Sequence, residues 1–170
     1  RIPTGAELKL TPGAAYVHMT SNNTIEGTQY RELPDVGSVP LVSDTSSDMF
    51  SRPIDVPRHG LIYAGSQKNL GPAGVTLVII REDLLQRAAE RKSALPTMLS
   101  YAVHADNNSL YNTPPCFAIY AVGLVVKWLI AQGGLTAVAA HNERKAARLY
   151  AELDRSGFYR PTAEKACRSL

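Results

Sequence analysis

The sequence predicts an α/β fold: a partial, mixed but mostly parallel sheet with flanking helices, followed by the start of a small C-terminal α/β domain. Two observations support this fold class. The first 81 residues contain short apolar segments rich in β-branched and aromatic residues, whereas later apolar residues recur at helical spacing. The first two strand-like segments also end in polar clusters, as in open α/β sheets whose ligands bind at the carboxyl ends of the strands.

Four strands are predicted, at residues 15–20, 39–43, 61–63 and 75–81. The last is apolar almost throughout, which is typical of a strand buried on both faces. Only about ten residues separate the third strand from the fourth, and a helical crossover between parallel strands needs a dozen or more. We therefore expect the fourth strand to run antiparallel to its neighbour.

Three helices are predicted after the strands, at residues 82–91, 116–132 and 135–154. The second is apolar nearly all round, so we expect it to be buried, with Trp128 in the core. The third is amphipathic. Residues 101–111 are predicted to form a polar loop, and residues 157–160 the first strand of the small domain.

The composition, 45% hydrophobic and 19% charged with a net charge of +3, is that of an ordinary globular protein. The basic residues form no tract with aromatic residues, so nucleic-acid binding has little support. Cys116 and Cys167 lack metal-ligand spacing and are expected to be free thiols in a reducing compartment. Because Lys127 interrupts the apolar run 117–130, no membrane span is predicted, and no pair of histidines has metal spacing.

The chain begins at Arg1 rather than at methionine, and no signal peptide is visible. We expect it to be a fragment of a longer protein. The expected location is the cytoplasm, as a soluble protein, or a plastid if the source is a plant or an alga.

The stretch 63–74 joins two apolar strands through three glycines, one proline and a single cation, Lys68. Glycine and proline occur at this density where the backbone turns tightly or approaches a ligand. The simplest interpretation is a hairpin loop with a surface lysine. The alternative is a lysine that is placed to form a Schiff base or to bind a phosphate.

Asp44 ends the second predicted strand and begins a polar cluster. It could cap a turn or a helix, or it could hold a cation in a crevice of the sheet. If the second and third strands are neighbours, Asp44 and Lys68 open into one cleft. An acid and a lysine in one cleft suit pyridoxal phosphate, whose aldehyde reacts with an amine and whose ring nitrogen pairs with a carboxylate.

Several motifs carry a more specific resemblance: DTSS at 44–47, SRPIDV at 51–56, GSQKNLGPAG at 65–74, YNTPP at 111–115 and RSL at 168–170. From about residue 7 to residue 170, the chain resembles the C-terminal half of the phosphoserine aminotransferase family. These are class V, pyridoxal-phosphate-dependent aminotransferases of fold type I, normally homodimers. The resemblance implies interconversion of 3-phosphohydroxypyruvate and glutamate with O-phosphoserine and 2-oxoglutarate, in L-serine biosynthesis. It also implies that residues 1–134 belong to the large cofactor-binding domain and residues 135–170 to a connecting helix and the small domain.

The resemblance also assigns roles to individual residues. Lys68 matches the catalytic Schiff-base lysine, and Asp44 matches the acid that pairs with the pyridine nitrogen. Thr24 matches the threonine that contacts the ring hydroxyl, and Gln67 matches a glutamine that contacts the cofactor phosphate. The last matches form a pair, Asn112 and Thr113, that reaches the phosphate in the neighbouring subunit's site.

Two further residues are predicted to contact the substrate. Arg168 matches a basic residue of the family's C-terminal segment, and His104 lies just before Asn112 in a segment that could approach the partner's site. The resemblance places the aromatic residue that stacks on the ring upstream of Arg1. The alternatives are another class V enzyme, a phosphate-binding module without chemistry, or an inactive truncated fragment that binds the cofactor.

Overall fold

The computed structural model describes residues 1–3 and 5–170. Its strands are β1 (Val17–Thr20), β2 (Asn22–Asn23), β3 (Thr28–Gln29), β4 (Leu41–Asp44), β5 (Leu61–Gly65) and β6 (Thr76–Ile80). Its helices are α1 (Glu82–Glu90), α2 (Tyr101–Asp106), α3 (Cys116–Ala131) and α4 (Gly134–Ser156), with short 3₁₀ turns between several elements.

The main sheet has the strand order β1-β4-β5-β6, and β2 and β3 form a separate hairpin. Strands β1, β4 and β5 are parallel, whereas β6 runs antiparallel to β5. The antiparallel direction predicted for the fourth strand is therefore confirmed. Thr20 pairs with Asp44, which in turn pairs with Tyr63, so the ends of three strands lie side by side at one edge of the sheet.

Successive side chains of a strand point to opposite faces of the sheet, and the two faces differ in burial. On β4, Leu41 and Ser43 are buried and Val42 and Asp44 are half-buried. Leu41 packs with Met19 and Val36 in a small core cluster. Asp44, one of the predicted site residues, lies on the opposite face.

We predict that Leu41→Ala lowers the free energy of unfolding by about 2–5 kcal/mol, because it leaves a cavity in a packed core. Leu41 is 1% exposed, whereas Leu149 on α4 is 59% exposed and provides the matched control. Urea unfolding followed by circular dichroism measures both variants. Equal losses for Leu41→Ala and Leu149→Ala would contradict the position of the core.

Two predictions of burial are wrong. Strand β6 is not buried on both faces: Thr76 is exposed and its other residues are half-buried. The reason is that β6 lies at the edge of the sheet and, among the described strands, pairs only with β5. Helix α3 is largely exposed as well, with only Ala118 and Leu129 buried. Trp128, predicted to lie in the core, is 57% exposed.

Two segments have a different secondary structure from the one predicted. Residues 101–111 are not a loop throughout, because Tyr101–Asp106 forms α2 and packs against α1. Residues 157–160 form no strand in the described chain. Gly157 ends α4 in the left-handed conformation (φ 66°), which glycine adopts without steric cost, and the following residues remain irregular.

Among the described residues, no single helix has both the length and the apolar composition needed to cross a membrane. Helices α3 and α4 satisfy that test only as a pair, which is bent by 84°.

Candidate active site at the carboxyl edge of the sheet

Lys68 lies in the loop that joins β5 to β6. Ser66 anchors this loop: it is fully buried, its hydroxyl donates to the Pro72 carbonyl, and it accepts the Val75 N–H at 3.3 Å. Leu70, also fully buried, is a second anchor. Because its neighbours on both sides are held, Lys68 is presented to solvent on a fixed turn.

Two glycines allow the loop its path. Gly74 has a φ of 111°, which side chains with a Cβ rarely adopt. At Gly71 a Cβ would lie 3.1 Å from Val122 Cγ2 on α3, so the absence of a side chain permits the loop to approach the helix. The glycine-rich composition of this stretch therefore has a structural cause beside its suspected functional one.

Thr24 meets Lys68 from the β2–β3 hairpin, with Lys68 Nζ donating to Thr24 Oγ1 at 2.6 Å. The turn of this hairpin is shaped by Asn23, whose Oδ1 accepts the N–H groups of Ile25 and Glu26, both at 3.1 Å. Such local bonds are typical of asparagine in turns. Thr24 and Lys68, 44 residues apart in sequence, are thus brought into direct contact.

Asp44 is half-buried at the carboxyl end of β4, and its Oδ1 accepts the Ser46 N–H at 2.8 Å. The turn-capping interpretation of Asp44 is thus correct, but the bond uses only part of the carboxylate's acceptor capacity. Ser46 in turn accepts the Gly65 N–H at 3.0 Å, which ties the turn after β4 to the end of β5. Asp44 and the Lys68 loop therefore lie at the same edge of the sheet.

Gln67 is exposed beside Lys68, and its amide lies over Gly65. A Cβ at Gly65 would stand 2.6 Å from Gln67 Oε1, so the glycine makes room for this side chain. The amide has donors and an acceptor that can serve a ligand.

A buried network of polar side chains next to this edge of the sheet was not predicted from the sequence. Ser21, directly after β1, donates to Asp48 Oδ1 at 2.5 Å, and Gln29 Nε2 donates to Asp48 Oδ2 at 3.0 Å. All three residues are buried. Ser21 and Asp48 are 27 residues apart, so no local sequence pattern links them. The one available signal was the polar composition of the 44–51 segment.

Asn112 and Thr113 are exposed, and Asn112 Nδ2 donates to the Thr113 carbonyl at 3.3 Å. Neither is among the recorded hydrogen-bond partners of Lys68, Asp44 or Thr24 in the described chain. Asn112 instead lines a cavity of about 660 Å³ together with Tyr63, Thr76 and His104.

His104 lies on α2, not in a loop, and is half-buried. Its Nε2 lies 3.0 Å from the Met98 carbonyl. Its predicted contact with a substrate stays a prediction.

Arg168 is buried, and its guanidinium donates two bonds to Asp154, at 2.7 and 3.0 Å. It also lies over the Tyr150 ring, 4.8 Å from the centroid. The next residue, Ser169, donates its N–H to the Gly27 carbonyl at 2.8 Å, so the C-terminal segment is fastened to the hairpin that carries Thr24. A substrate-binding role for Arg168 stays a prediction.

The ion pair predicts a pH dependence of stability. Hydrogen bonds from Arg168 and then Lys165 lower the pKa of Asp154 from its usual 3.8 to about 2. A lowered pKa adds stability above pH 3.8 that is lost as the carboxyl becomes protonated at lower pH. We expect the difference in unfolding free energy between the unmodified chain and Asp154→Asn to shrink between about pH 5 and pH 2.

Urea unfolding at several pH values measures this difference. Asp106→Asn is the control, because the Asp106–Lys92 pair is exposed on both sides and should contribute little at any pH. A difference for Asp154→Asn that does not change with pH would contradict the role of its charge.

Residues 3–169 match the aminotransferase class V family, and the chain belongs to this family. Among its relatives are phosphoserine aminotransferases. The one from Lysinibacillus sphaericus is 57% identical over 170 residues, which cover 99% of this chain and 46% of the relative. The one from Desulfatibacillum aliphaticivorans is 58% identical over 165 residues, which cover 96% of this chain and 45% of the relative.

Solved structures of phosphoserine aminotransferases are also similar to this chain. Phosphoserine aminotransferase from Bacillus circulans subsp. alkalophilus superposes with a TM-score of 0.94 at 53% identity, over 99% of this chain and 46% of that one. The pyridoxal-phosphate-bound enzyme from Trichomonas vaginalis gives 0.91 at 39% identity, over 99% and 48%. The predicted fold class and family resemblance are confirmed. The chain spans about half the length of these relatives.

Proposed function

We propose that this chain supplies the lysine-bearing part of a pyridoxal-phosphate-dependent phosphoserine aminotransferase. The reaction interconverts 3-phosphohydroxypyruvate and glutamate with O-phosphoserine and 2-oxoglutarate, in L-serine biosynthesis. The observation that supports it best is the edge of the sheet where Asp44 ends β4 and the loop after the neighbouring parallel strand β5 carries Lys68, which is bonded to Thr24. The aminotransferase relatives supply the reaction class.

The donor set at this edge fits the cofactor. Lys68 has a primary amine for the aldehyde, and Asp44 has a carboxylate with free acceptor capacity for the ring nitrogen. The Thr24 hydroxyl is available to the ring hydroxyl, and the Gln67 amide to the phosphate. When bound, the cofactor withdraws electrons from the substrate's α-carbon.

The chain's own contribution to the reaction is positioning and proton transfer. The anchored loop holds the Lys68 amine in place, and Thr24 Oγ1 at 2.6 Å orients it. With the cofactor bound, the Lys68 amine would be the base that moves the proton of the substrate's α-carbon. The Asp44 carboxylate would pair with the ring nitrogen and favour its protonated form.

We also propose that the enzyme is a homodimer, in which Asn112 and Thr113 contact the cofactor phosphate of the neighbouring subunit. Both side chains are exposed. The helix that follows them presents Phe117, Tyr120 and Trp128, which are 78%, 64% and 57% exposed. An apolar surface of this kind is typical of an interface. Sedimentation of the chain alone and with Phe117→Lys tests whether this surface joins two copies.

Further assignments belong to the same proposal. Residues 1–134 form part of the large cofactor-binding domain, and residues 135–170 form a connecting helix that leads to the small domain. His104 and Arg168 would contact the substrate. The cytoplasm is the proposed location, with a plastid as the alternative for a plant or algal source.

The test is to mix the chain with pyridoxal phosphate, follow the visible absorption of the lysine-bound cofactor, and fix the bond with borohydride. Peptide mass spectrometry then identifies the modified lysine. We expect Lys68 to be modified in preference to Lys127, an exposed lysine on α3 that controls for unspecific reaction. Uniform modification of exposed lysines would contradict the proposal.

A second candidate follows from the length of the chain, which is about half that of its relatives. A chain that binds the cofactor at Lys68 but does not exchange amino groups would be an inactive cofactor-binding fragment. Adding glutamate separates the two candidates, because transamination converts the bound cofactor into its amine form and removes the visible band.

A further inference from the structure

The turn that carries Thr24 is not held by burial of its own side chains. Residues 23–26 are all exposed, and Ile25 is 94% exposed. The hairpin beneath the turn has only two residues in each strand, and an isolated two-stranded hairpin is marginally stable at best in water. The position of the Thr24 hydroxyl, 2.6 Å from Lys68 Nζ, therefore depends on the contacts that the rest of the chain makes with this hairpin.

The C-terminal segment of the chain makes several of these contacts. Arg168 forms an antiparallel bridge with Thr28 on β3, and the Ser169 N–H donates to the Gly27 carbonyl at 2.8 Å. Both contacts lie at the end of the hairpin that is next to the turn. The segment is itself tied to helix α4, because the Tyr150 hydroxyl donates to the Ser169 carbonyl at 2.7 Å.

The side chain of Asn22, at the start of the hairpin, joins this segment to the turn after β4. Asn22 is buried, its Nδ2 donates to Ser47 Oγ at 2.8 Å, and its Oδ1 accepts from Ser169 Oγ at 2.5 Å. Ser47 belongs to the turn that the Asp44 carboxylate caps. One amide group therefore connects the C-terminal segment, the hairpin of Thr24 and the turn of Asp44.

Hydrogen-bond chemistry determines which way the Asn22 amide faces. Ser47 Oγ donates its single hydrogen to the Asn22 backbone carbonyl at 2.6 Å, so it can only accept from the Asn22 side chain. The NH₂ group of Asn22 must therefore face Ser47, and its amide oxygen faces Ser169. Because an amide oxygen only accepts, the Ser169 hydroxyl is the donor. A single arrangement of protons thus satisfies all three contacts.

We propose that Ser169 and Asn22 are positioning residues, which hold the Thr24 hydroxyl against the Lys68 amine and so orient that amine towards the cofactor. This inference rests on the proposed function. Neither residue has a recorded bond to Lys68 or Thr24 in the described chain, so both act through the hairpin. The C-terminal segment then serves the cofactor site through Ser169, separately from the predicted substrate contact of Arg168.

The first test needs no cofactor. NMR of the chain with labelled threonine methyl groups measures the order parameter of the Thr24 methyl. Ser169→Ala removes the hydroxyl but keeps the backbone bond to Gly27, and we expect it to lower this order parameter. Ser169→Thr keeps a hydroxyl and should restore it. Thr76, exposed on β6, is the internal reference and should not change. An unaltered Thr24 methyl in Ser169→Ala would overturn the proposal.

The second test is a fluorescence titration of the chain with pyridoxal phosphate. We expect Ser169→Ala to weaken binding about two- to tenfold, the effect of one hydrogen bond, and Ser169→Thr to bind like the unmodified chain. Asn22→Ala removes both side-chain bonds of the amide and should weaken binding further. Ser93→Ala changes an exposed serine elsewhere and is the matched control. If Ser169→Thr bound as weakly as Ser169→Ala, the donor role of the hydroxyl would be overturned.

A double-mutant cycle with Thr24→Val distinguishes positioning from general destabilisation. If Ser169 acts through the Thr24 hydroxyl, Ser169→Ala should cause no further loss of affinity once that hydroxyl is absent. Circular dichroism verifies that each variant is folded under the conditions of the titration. Equal losses from Ser169→Ala with and without the Thr24 hydroxyl would overturn the positioning role, because a merely structural contact acts in both backgrounds.

The outcomes separate this inference from the proposed function. If Lys68 is modified by the cofactor but Ser169→Ala and Asn22→Ala leave the affinity unchanged, the positioning role is overturned and the proposed function stands. If Lys68 is not modified in the unmodified chain, the proposed function fails and this inference fails with it, whatever the Thr24 methyl shows.

Discussion

Lys68→Ala is expected to abolish covalent capture of pyridoxal phosphate and to lower turnover by about a hundred- to ten-thousandfold, the usual contribution of a positioned acid–base group. The loss is large because Lys68 has two roles, as the covalent anchor and as the base. No second lysine is recorded at the Thr24 hydroxyl in the described chain. Turnover is measured in a chimera in which this chain replaces the matched segment of the Lysinibacillus sphaericus relative.

The controls for Lys68→Ala separate its amine from its charge. Lys68→Arg keeps a cation near Thr24 but removes the nucleophilic amine, so it should be as inactive as Lys68→Ala. A small primary amine added to Lys68→Ala should recover part of the activity by replacing the missing base. Lys127→Ala should behave like the unmodified chimera. Full activity in Lys68→Ala would remove the basis of the proposed function.

The sequence predicted the centre of the sheet well because strand periodicity and loop length are local signals. The spacing between the third and fourth strands was enough to predict that β6 runs antiparallel. The apolar patterns were not enough to predict which side chains are buried. Such a pattern shows that a surface is suited to be covered, but it does not show which residues cover it. Trp128 and β6 were therefore predicted to be buried, although they are exposed or half-exposed in the described chain.

Some residues of the candidate site could be predicted from the sequence, and others could not. Lys68 and Asp44 could be found from sequence because each follows a strand and interrupts an apolar pattern. The side-chain contacts around this edge of the sheet could not, because they join distant residues: His18 to Tyr63 over 45 positions and Ser21 to Asp48 over 27. Arg168 shows the converse. Its match to a basic residue of the family's C-terminal segment suggested a substrate contact, but the structure pairs it with Asp154, 14 residues before it.

Asp44→Ala is expected to weaken binding of pyridoxal phosphate about ten- to hundredfold, the equivalent of one charge-assisted hydrogen bond. Turnover in the chimera should fall further than affinity, because an unprotonated ring withdraws electrons poorly from the substrate. Lys68 should still be modified in this variant, since its loop is anchored by Ser66 and Leu70 rather than by Asp44. A fluorescence titration with the cofactor and a steady-state assay measure the two losses separately.

Two further variants test whether the charge of Asp44 is what matters. Asp44→Asn keeps an acceptor oxygen for the Ser46 N–H but has no charge to hold a proton on the ring nitrogen, so its turnover should resemble that of Asp44→Ala. Asp55→Asn changes an exposed carboxylate elsewhere and should leave both measurements unaltered. If Asp44→Asn kept full turnover, the carboxylate would be acting only as the cap of the turn after β4, and the pairing with the ring nitrogen would be wrong.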